Sequence, residues 1–349
     1  MIKKTFRVTS LLTSSMLGAG FLSGYEWLRF FTYYGTWGSI GLMLAIVAMT
    51  WILYESLHLA YRNQLFSLSQ FLAHLIGPQL THVFGFFTAL IIILYSGIML
   101  ADQALFLEQT TSLSSLLGLL VFLVLVFIGA RLSNSSLAKI AAGFILGAVV
   151  IVLFLYRTQT HIPLPSLSYQ LNLKWLWNGL LFTGLHLFFS LAVLLPLVRE
   201  TRSLPSLRFG IGLSSLLFGV IGLFIHLQIL SHWHDVHTHL KPIVEILMAQ
   251  LPYSVYAYLP ISLGHVIILA SILLRSLTDP LLQETQVSEL PLVLTLVTFV
   301  GIISFFGIFF SFLYPLLYST ITYVGLALLS ILFVQFSGRR NPPQDINDT

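Results

Sequence analysis

The sequence predicts an all-α membrane protein with about ten transmembrane helices, and its composition and patterning support this fold class. Of the 349 residues, 57% are hydrophobic and only 8% are charged, whereas a soluble domain carries about 25% charged residues. So few charges cannot cover a soluble surface with polar groups. The apolar residues form continuous runs of roughly 18–25, the length at which a helix crosses the hydrocarbon layer. Polar and apolar residues do not alternate within these runs, which argues against a transmembrane β-barrel.

Ten of these runs follow one another along the chain, separated mostly by short polar loops. We predict spans at 8–31, 38–60, 82–107, 113–130, 136–156, 174–198, 208–230, 254–275, 290–309 and 312–336. They form a single transmembrane domain, with a first half over about 8–156 and a second over about 174–336. The polar tail at 337–349 is predicted to be disordered and cytoplasmic.

The basic residues predict the orientation of the spans. With the N-terminus inside, the outer side holds only Arg157, Lys174 and Lys241, and nearly all other Lys and Arg residues fall on the inner side. The positive-inside rule then places both termini in the cytoplasm. The net charge of +4 is scattered among these loops, so no nucleic-acid partner is expected. The first 20 residues also resemble a signal peptide, but polar residues at 13–15 interrupt their apolar stretch.

Five spans in each half would make the second half cross the membrane in the opposite direction, as an inverted repeat requires. The first span of each half contains a candidate interruption, at Gly18-Ala19-Gly20 and at Thr183-Gly184. An unwound turn exposes N–H groups and carbonyls that suit a carboxylate and a cation. The alternative is that these small residues only allow close packing of helices.

Three segments resemble the YkvI-type bacterial membrane proteins. Residues 18–31 (GAGFLSGYEWLRFF) resemble the signature at the start of that family, residues 97–109 resemble its third helix, and residues 313–325 resemble its last helix. The family is similar to the amino acid–polyamine–cation transporters, which share the LeuT-type fold. The resemblance implies a 5+5 inverted repeat with broken helices 1 and 6, in the cytoplasmic (inner) membrane of a bacterium.

The resemblance also implies alternating access around a site at the middle of the membrane, for an amino-acid-like or other small nitrogenous solute. The substrate-binding residues predicted from it and from the interruptions are Gly18, Ala19, Gly20, Phe21, Ser23, Tyr95, Phe182, Thr183, Gly184 and His186. Two of the family's positions differ here, because Asp102 replaces a glycine and His186 replaces an asparagine.

Charged side chains within a span are costly and are therefore candidates for function. Glu26 and Arg29 are three residues apart in the first span, so they can share a helix face and pair. We predict that they form an outer gate with Asp102, which follows Tyr95 on one face of the third span. The alternative is a structural ion pair at the level of the lipid headgroups.

Coupling to protons is predicted ahead of coupling to sodium. Glu55 and His58 lie one turn apart, Lys139 begins the fifth span, and His186 and His265 fall near mid-membrane, where imidazole exchanges protons near neutral pH. In related transporters a hydroxyl pair on the eighth helix helps to hold sodium, and only Ser271 remains here. Each of these residues also has a structural interpretation, as a buried histidine or a basic anchor.

The outer loop contains His232, His234, His237 and His239, which are weak candidates for a metal site. A short flexible loop does not preset ligand geometry, so we predict no bound metal and no other cofactor. Residues 242–251 repeat apolar side chains at helical spacing but are too few to span. This segment is predicted to be either a lid over an outer vestibule or an interfacial helix.

The predicted function is a secondary active transporter, with a small-molecule solute and the lipid bilayer as its partners. The sequence does not give the solute or the oligomeric state. No enzyme is expected, since the chain has no P-loop, HExxH or GxSxG motif and no cysteine. Two alternatives stay open: a LeuT-fold sensor that binds a ligand without moving it, and an intramembrane enzyme.

Overall fold

The computed structural model describes residues 1–18, 20–157, 172–284, 286–310 and 312–338. Within these ranges the regular secondary structure is entirely helical, with two short 3-10 turns at Thr32–Tyr34 and Pro78–Leu80. The helices are α1 (Ile2–Leu17), α2 (Gly20–Ser23), α3 (Tyr25–Phe30), α4 (Thr36–Asn63), α5 (Leu68–Ile76), α6 (Thr81–Thr111), α7 (Ser115–Ala130), α8 (Asn134–Tyr156), α9 (Lys174–Thr201), α10 (Leu204–Ser231), α11 (Trp233–Val236), α12 (Pro242–Gln250), α13 (Ser254–Glu284), α14 (Glu289–Phe309) and α15 (Leu313–Gly338).

Eight of the described helices are long and apolar enough to cross a membrane: α4, α6, α8, α9, α10, α13, α14 and α15. The chain is therefore an all-helical, multi-pass membrane protein by the length and composition of its helices. The apolar helix α7 is shorter, with 16 residues. The first predicted span, 8–31, is divided among α1, α2 and α3.

Side-chain caps and left-handed residues set several helix ends. The hydroxyl of Ser67 accepts a hydrogen bond from the backbone N–H of Gln70 at the start of α5, and Ser133 caps α8 in the same way. Gln64 ends α4 in the left-handed conformation. Helix α5 was not predicted from the sequence, where we interpreted its nine residues as part of a loop.

Helix α9 lies at the centre of the bundle. Its apolar segment is 94% buried, and it packs against α4, α15, α1 and α13. Helix α1 packs against α10, α8 and α9. Five residues with hydroxyl side chains, on neighbouring turns of α1, are buried there: Thr9, Ser10, Thr13, Ser14 and Ser15. A helix with so many hydroxyls is costly to expose to lipid, so it lies inside the bundle.

The predicted interruption of the first span is confirmed. Helix α1 ends at Leu17, Gly18 has a φ of 56°, and Gly24 has a φ of 85° between α2 and α3. Residues that carry a side chain rarely adopt a positive φ, so glycine makes this path of the backbone possible. We refer to Gly18–Gly24 as the helix break.

The second predicted interruption, at Thr183-Gly184, is wrong, because α9 runs unbroken from Lys174 to Thr201. A Cβ on Gly184 would lie 2.6 Å from the backbone of Gly325 in α15. The glycine therefore serves the close crossing of two helices, which was the alternative interpretation. The hydroxyl of Thr183 donates to the carbonyl of Gly179, one turn earlier in the same helix.

Three predictions fall outside the described residues, in whole or in part. The tail over 339–349 lies there, as does residue Ala19, which was predicted to bind substrate. The side chain of Phe21 also lies outside the described part of the structure.

Candidate functional site

The helix break brings a buried carboxylate onto the backbone of the chain. The Glu26 side chain is fully buried, and it folds back so that a Cβ on Gly20 would lie 2.7 Å from its Oε1 atom. A Cβ on Gly18 would lie 3.5 Å from the same oxygen. Only a residue without a side chain leaves room for the carboxylate at Gly20, which explains the glycine there.

His186 of α9 faces this carboxylate. Its Nε2 atom lies 3.3 Å from Oε2 of Glu26, and the exposed fractions of the two side chains are 2% and 0%. Among the described residues, neither oxygen of Glu26 has a hydrogen bond, and Nε2 of His186 has none either. The two groups are therefore close, but their orientation does not form a hydrogen bond.

Two further polar side chains reach the break from other helices. The imidazole of His265 in α13 lies close to the backbone of Gly18, and its Nε2 atom has no partner among the described residues. The phenol oxygen of Tyr95 in α6 lies 3.2 Å from the position of a Cβ on Gly18. The ring of Tyr95 stacks on Phe189, with 4.0 Å between centroids. The fold thus brings Tyr95, His186 and His265 to one place, although they were predicted on three separate spans.

Aromatic rings close the side of the site behind His186. The ring of Phe182 lies 4.2 Å from the imidazole centroid and also contacts Trp27, Phe31 and Phe218. These rings are buried. They exclude water from the Glu26–His186 pair and lower the local dielectric, which strengthens electrostatic interactions there.

The space beside the break is small. A cavity of about 10 Å³ has room for about one water molecule. Its walls are Gly20, Tyr95, Ile98, Met99, Tyr314, Tyr318 and Ile321. The predicted substrate site is therefore closed to a solute in this conformation, and helices must move to open it.

A vestibule of about 1000 Å³ lies next to this cavity, on the side of the bundle that carries α12. Ile98 and Tyr314 line both spaces, so they form the partition between them. Ser23, at the end of α2, also lines the vestibule. Across its mouth, Lys241 donates to Asp102 at 3.1 Å, and its ammonium lies 4.3 Å from the ring centre of Phe106.

Helix α12 forms part of the vestibule wall. Its residues Val244, Glu245 and Met248 line the space, and Pro242 and Ile243 lie against Gly24. The predicted helix at 242–251 is confirmed over Pro242–Gln250. Because it packs on the helix break, it fits the lid interpretation better than that of an interfacial helix.

Ion pairs and hydrogen bonds together join four helices at the opposite end of the bundle, an arrangement that the sequence did not reveal. Arg7 of α1 pairs with Glu200 of α9, and Lys4 donates to the backbone carbonyl of Thr201 at 2.8 Å. Asn134 of α8 donates to Glu200 at 2.7 Å. Arg275 pairs with Asp279 at 3.2 Å within α13, and Asn134 lies 3.5 Å from that same carboxylate. We call these residues the basal network.

The predicted pairing of Glu26 with Arg29 is wrong. Helix α3 has only six residues, and Glu26 points to the helix break. The Arg29 guanidinium instead points to α15, donating to Ser319 at 3.2 Å and lying 5.3 Å from the ring centre of Tyr318. It also contacts the phenol of Tyr25, at 3.4 Å.

Of the residues predicted to couple protons, His186 and His265 reach the break. Lys139 is exposed on α8, and Glu55 lies in a surface cleft with His58 and His74. The Ser271 hydroxyl donates to the carbonyl of Ile267 and packs against Gly129 of α7. The structure thus places Lys139, Glu55 and Ser271 in surroundings that suit anchoring and packing.

The histidines of the outer loop do not converge. Nδ1 of His232 lies 3.0 Å from the carbonyl of Gln228, His237 stacks on Trp233, and His239 lies 3.3 Å from Glu245. His234 is exposed. Among the described residues, no three His, Asp or Glu side chains form a group that could hold a metal ion.

No family model matches this chain, and no curated protein matches it either.

Proposed function

We propose that the protein is a secondary active transporter that moves a small amino-acid-like or nitrogenous solute by alternating access. The observation that carries this proposal is the helix break. It places a fully buried, unbonded carboxylate beneath a vestibule of about 1000 Å³. An ionisable side chain in the membrane interior is costly and is typical of transport pathways.

The packing of the helices supports a LeuT-type fold with ten spans in two inverted repeats. In this proposal the spans are α1–α3 taken together, then α4, α6, α7, α8, α9, α10, α13, α14 and α15. The most extensive packing contacts between these spans have counterparts five spans along the chain. The pair α1–α10 corresponds to α9–α4, the pair α1–α8 to α9–α15, and the pair α6–α14 to α13–α7. Such correspondence is the pattern that an inverted repeat produces.

The backbone at the break suits the ammonium of the solute. Helix α1 has 16 residues and ends at Leu17, so the negative end of its dipole and its free carbonyls point into the break. The Glu26 carboxylate adds negative charge there. Because α9 is continuous, the exposed backbone groups that would bind the solute all belong to the first span.

The two ends of the bundle differ as alternating access requires. The end with α12 has an open vestibule, while the basal network joins α1, α8, α9 and α13 at the other end. With both termini in the cytoplasm of a bacterial inner membrane, the vestibule faces outward. Opening the basal network and closing α12 onto the break would then expose the site to the cytoplasm.

A stability screen followed by a flux measurement tests the proposal. A solute that binds only the folded protein raises its apparent melting temperature, so purified protein is screened against amino acids, amines and related solutes. Each hit is then tested for counterflow in proteoliposomes, with Gly20→Leu, which fills the place of the Glu26 carboxylate, as the inactive control. Counterflow by the wild type alone supports a transporter, and binding without flux refutes it.

One observation favours a second candidate function, a ligand sensor that keeps the fold without transporting. The cavity beside the break measures only about 10 Å³, and a sensor needs no passage beyond it. Binding in the screen, together with no counterflow in well-sealed proteoliposomes, would establish this alternative.

A further inference from the structure

We propose that Glu26 and His186 together hold one exchangeable proton, which couples the pH gradient to movement of the solute. This inference rests on the proposed transport function, since it names the coupling ion and the residues that carry it. The sequence had suggested proton exchange at several separate residues, and Glu26 only as a gate. The structure brings Glu26 and His186 into one buried pair.

Burial restricts the charge that this pair can carry. The exposed fractions of the Glu26 and His186 side chains are 0% and 2%. Burying a net charge costs several kcal/mol, even after relaxation. An ionised carboxylate beside a neutral imidazole has a net charge of −1. The pair becomes neutral overall when it binds one further proton. That proton is located on the carboxyl group or on the imidazole, and the net charge is zero in both cases.

The groups facing the pair do not supply another compensating charge. Tyr95 of α6 reaches the break beside Gly18, and Tyr314 and Tyr318 of α15 are close enough to interact electrostatically with Glu26. These three phenols are neutral at ordinary pH. From α13, the His265 imidazole lies close to the Gly18 backbone. The fixed cation on the same helix as Glu26 is Arg29, whose guanidinium is turned towards Ser319 and the Tyr318 ring.

The remaining neighbouring histidine is already engaged. His226 of α10 lies between the hydroxyls of Thr32 and Ser39, at 3.0 Å from each. Both of its ring nitrogens therefore have partners. The Glu26–His186 pair, in contrast, has three polar atoms without a hydrogen bond among the described residues. An unbonded buried group is costly, so the pair gains stability when water or a solute reaches it.

Proton release follows from opening the site. The pair lies between α3 and α9, and its proton has no route to water while the cavity is closed. When either side opens, water solvates the carboxylate, and the proton passes from the pair to water on that side. If the site closes again before the pair has regained its proton, the pair has a net charge of −1 and requires a compensating cation. The ammonium of the solute can supply that charge, so the proton and the solute alternate as partners of Glu26.

Infrared spectroscopy tests the pair without requiring transport. Difference spectra between pH 5 and pH 9 are recorded in nanodiscs for the wild type, Glu26→Gln, His186→Gln and the control Glu55→Gln, which alters a carboxyl in a surface cleft. We expect a carboxyl band that Glu26→Gln lacks, that titrates at a different pH in His186→Gln, and that Glu55→Gln retains. A band unchanged in Glu26→Gln or in His186→Gln overturns the proposal.

Transport then separates this inference from the proposed function. A proton coupled one to one gives about tenfold accumulation of solute for each unit of pH difference. We expect Glu26→Gln to lose that accumulation, while Glu55→Gln keeps both the accumulation and the counterflow. If the wild type shows counterflow without pH-driven accumulation, the coupling is refuted and the transporter stands. If the wild type shows no flux, the transport function fails and the proton cannot couple to it.

Discussion

The carboxylate of Glu26 lies against the backbone of Gly20, six residues earlier, where a Cβ would come within 2.7 Å of Oε1. This contact is possible because the chain leaves helical geometry at Gly18 and again at Gly24. The break thus turns a short stretch of sequence into a loop that holds its own acidic side chain.

Gly20→Ala is expected to lower the stability of the folded protein by about 1–3 kcal/mol, the usual cost of overpacking. The added methyl group must displace the Glu26 carboxylate, which is buried on all sides. Gly143→Ala is the matched control, because a Cβ there meets no atom within 4 Å. Thermal unfolding in detergent measures both variants. Equal melting temperatures for Gly20→Ala and the wild type would contradict the observed contact.

The crossing of α9 and α15 at Gly184 and Gly325 gives a second prediction. A Cβ on Gly184 would lie 2.6 Å from the Gly325 backbone, and one on Gly325 would lie 2.3 Å from the carbonyl oxygen of Gly184. Either Gly→Ala change is therefore expected to force the helices apart and lower the melting temperature. Gly85→Ala serves as the control, since its Cβ would have only an ordinary contact, at 3.7 Å. Full stability of Gly184→Ala would instead indicate an unwound turn.

The Asp102–Lys241 ion pair is expected to hold α12 over the vestibule. The pair is partly exposed, so its contribution is roughly 0.2–1 kcal/mol. Lys241→Gln should therefore speed the hydrogen exchange of α12 amides by up to about fivefold. The exposed Lys174→Gln is the control for loss of a positive charge. Exchange rates that are the same in Lys241→Gln and the wild type would show that α12 is held by its apolar face alone.

The basal network is expected to keep its own end of the bundle closed. Removing its Arg7–Glu200 pair with Glu200→Gln should raise the population of conformations open at that end. The chain has no native cysteine, so Ser14→Cys, buried in α1, reports on opening through its rate of maleimide labelling. We expect faster labelling in Glu200→Gln and no change in Glu55→Gln. A rate unaffected by Glu200→Gln would mean that the ion pair does not control this end.

Most helices were predictable because each requires an apolar run long enough to cross the membrane. The predicted spans 290–309 and 136–156, for example, correspond to Glu289–Phe309 and Asn134–Tyr156. Helix α5 was missed because its nine residues are too short for that signal. The lengths and positions of long helices therefore follow from the sequence far better than those of short ones.

Glycine was ambiguous because it permits two different structures. Gly18 and Gly184 occur in similar apolar surroundings, yet one ends a helix with a φ of 56° and the other lies in an unbroken helix against Gly325. The deciding factor is the neighbouring helix, which the local sequence does not contain. The same limit explains why the partner of Glu26 was predicted wrongly. Its neighbour in the structure, His186, is 160 residues away, whereas Arg29 lies on the same helix but points elsewhere.

Access to the helix break from both sides of the membrane is the most direct test of the central claim. Met99→Cys, which lines the cavity beside Gly20 and Tyr95, is labelled with a membrane-impermeant maleimide in oriented vesicles, once from each side. Alternating access predicts labelling from either side, and a solute bound at the break should slow both reactions. Labelling from the vestibule side alone, under every condition in which the protein is folded, would contradict a transporter.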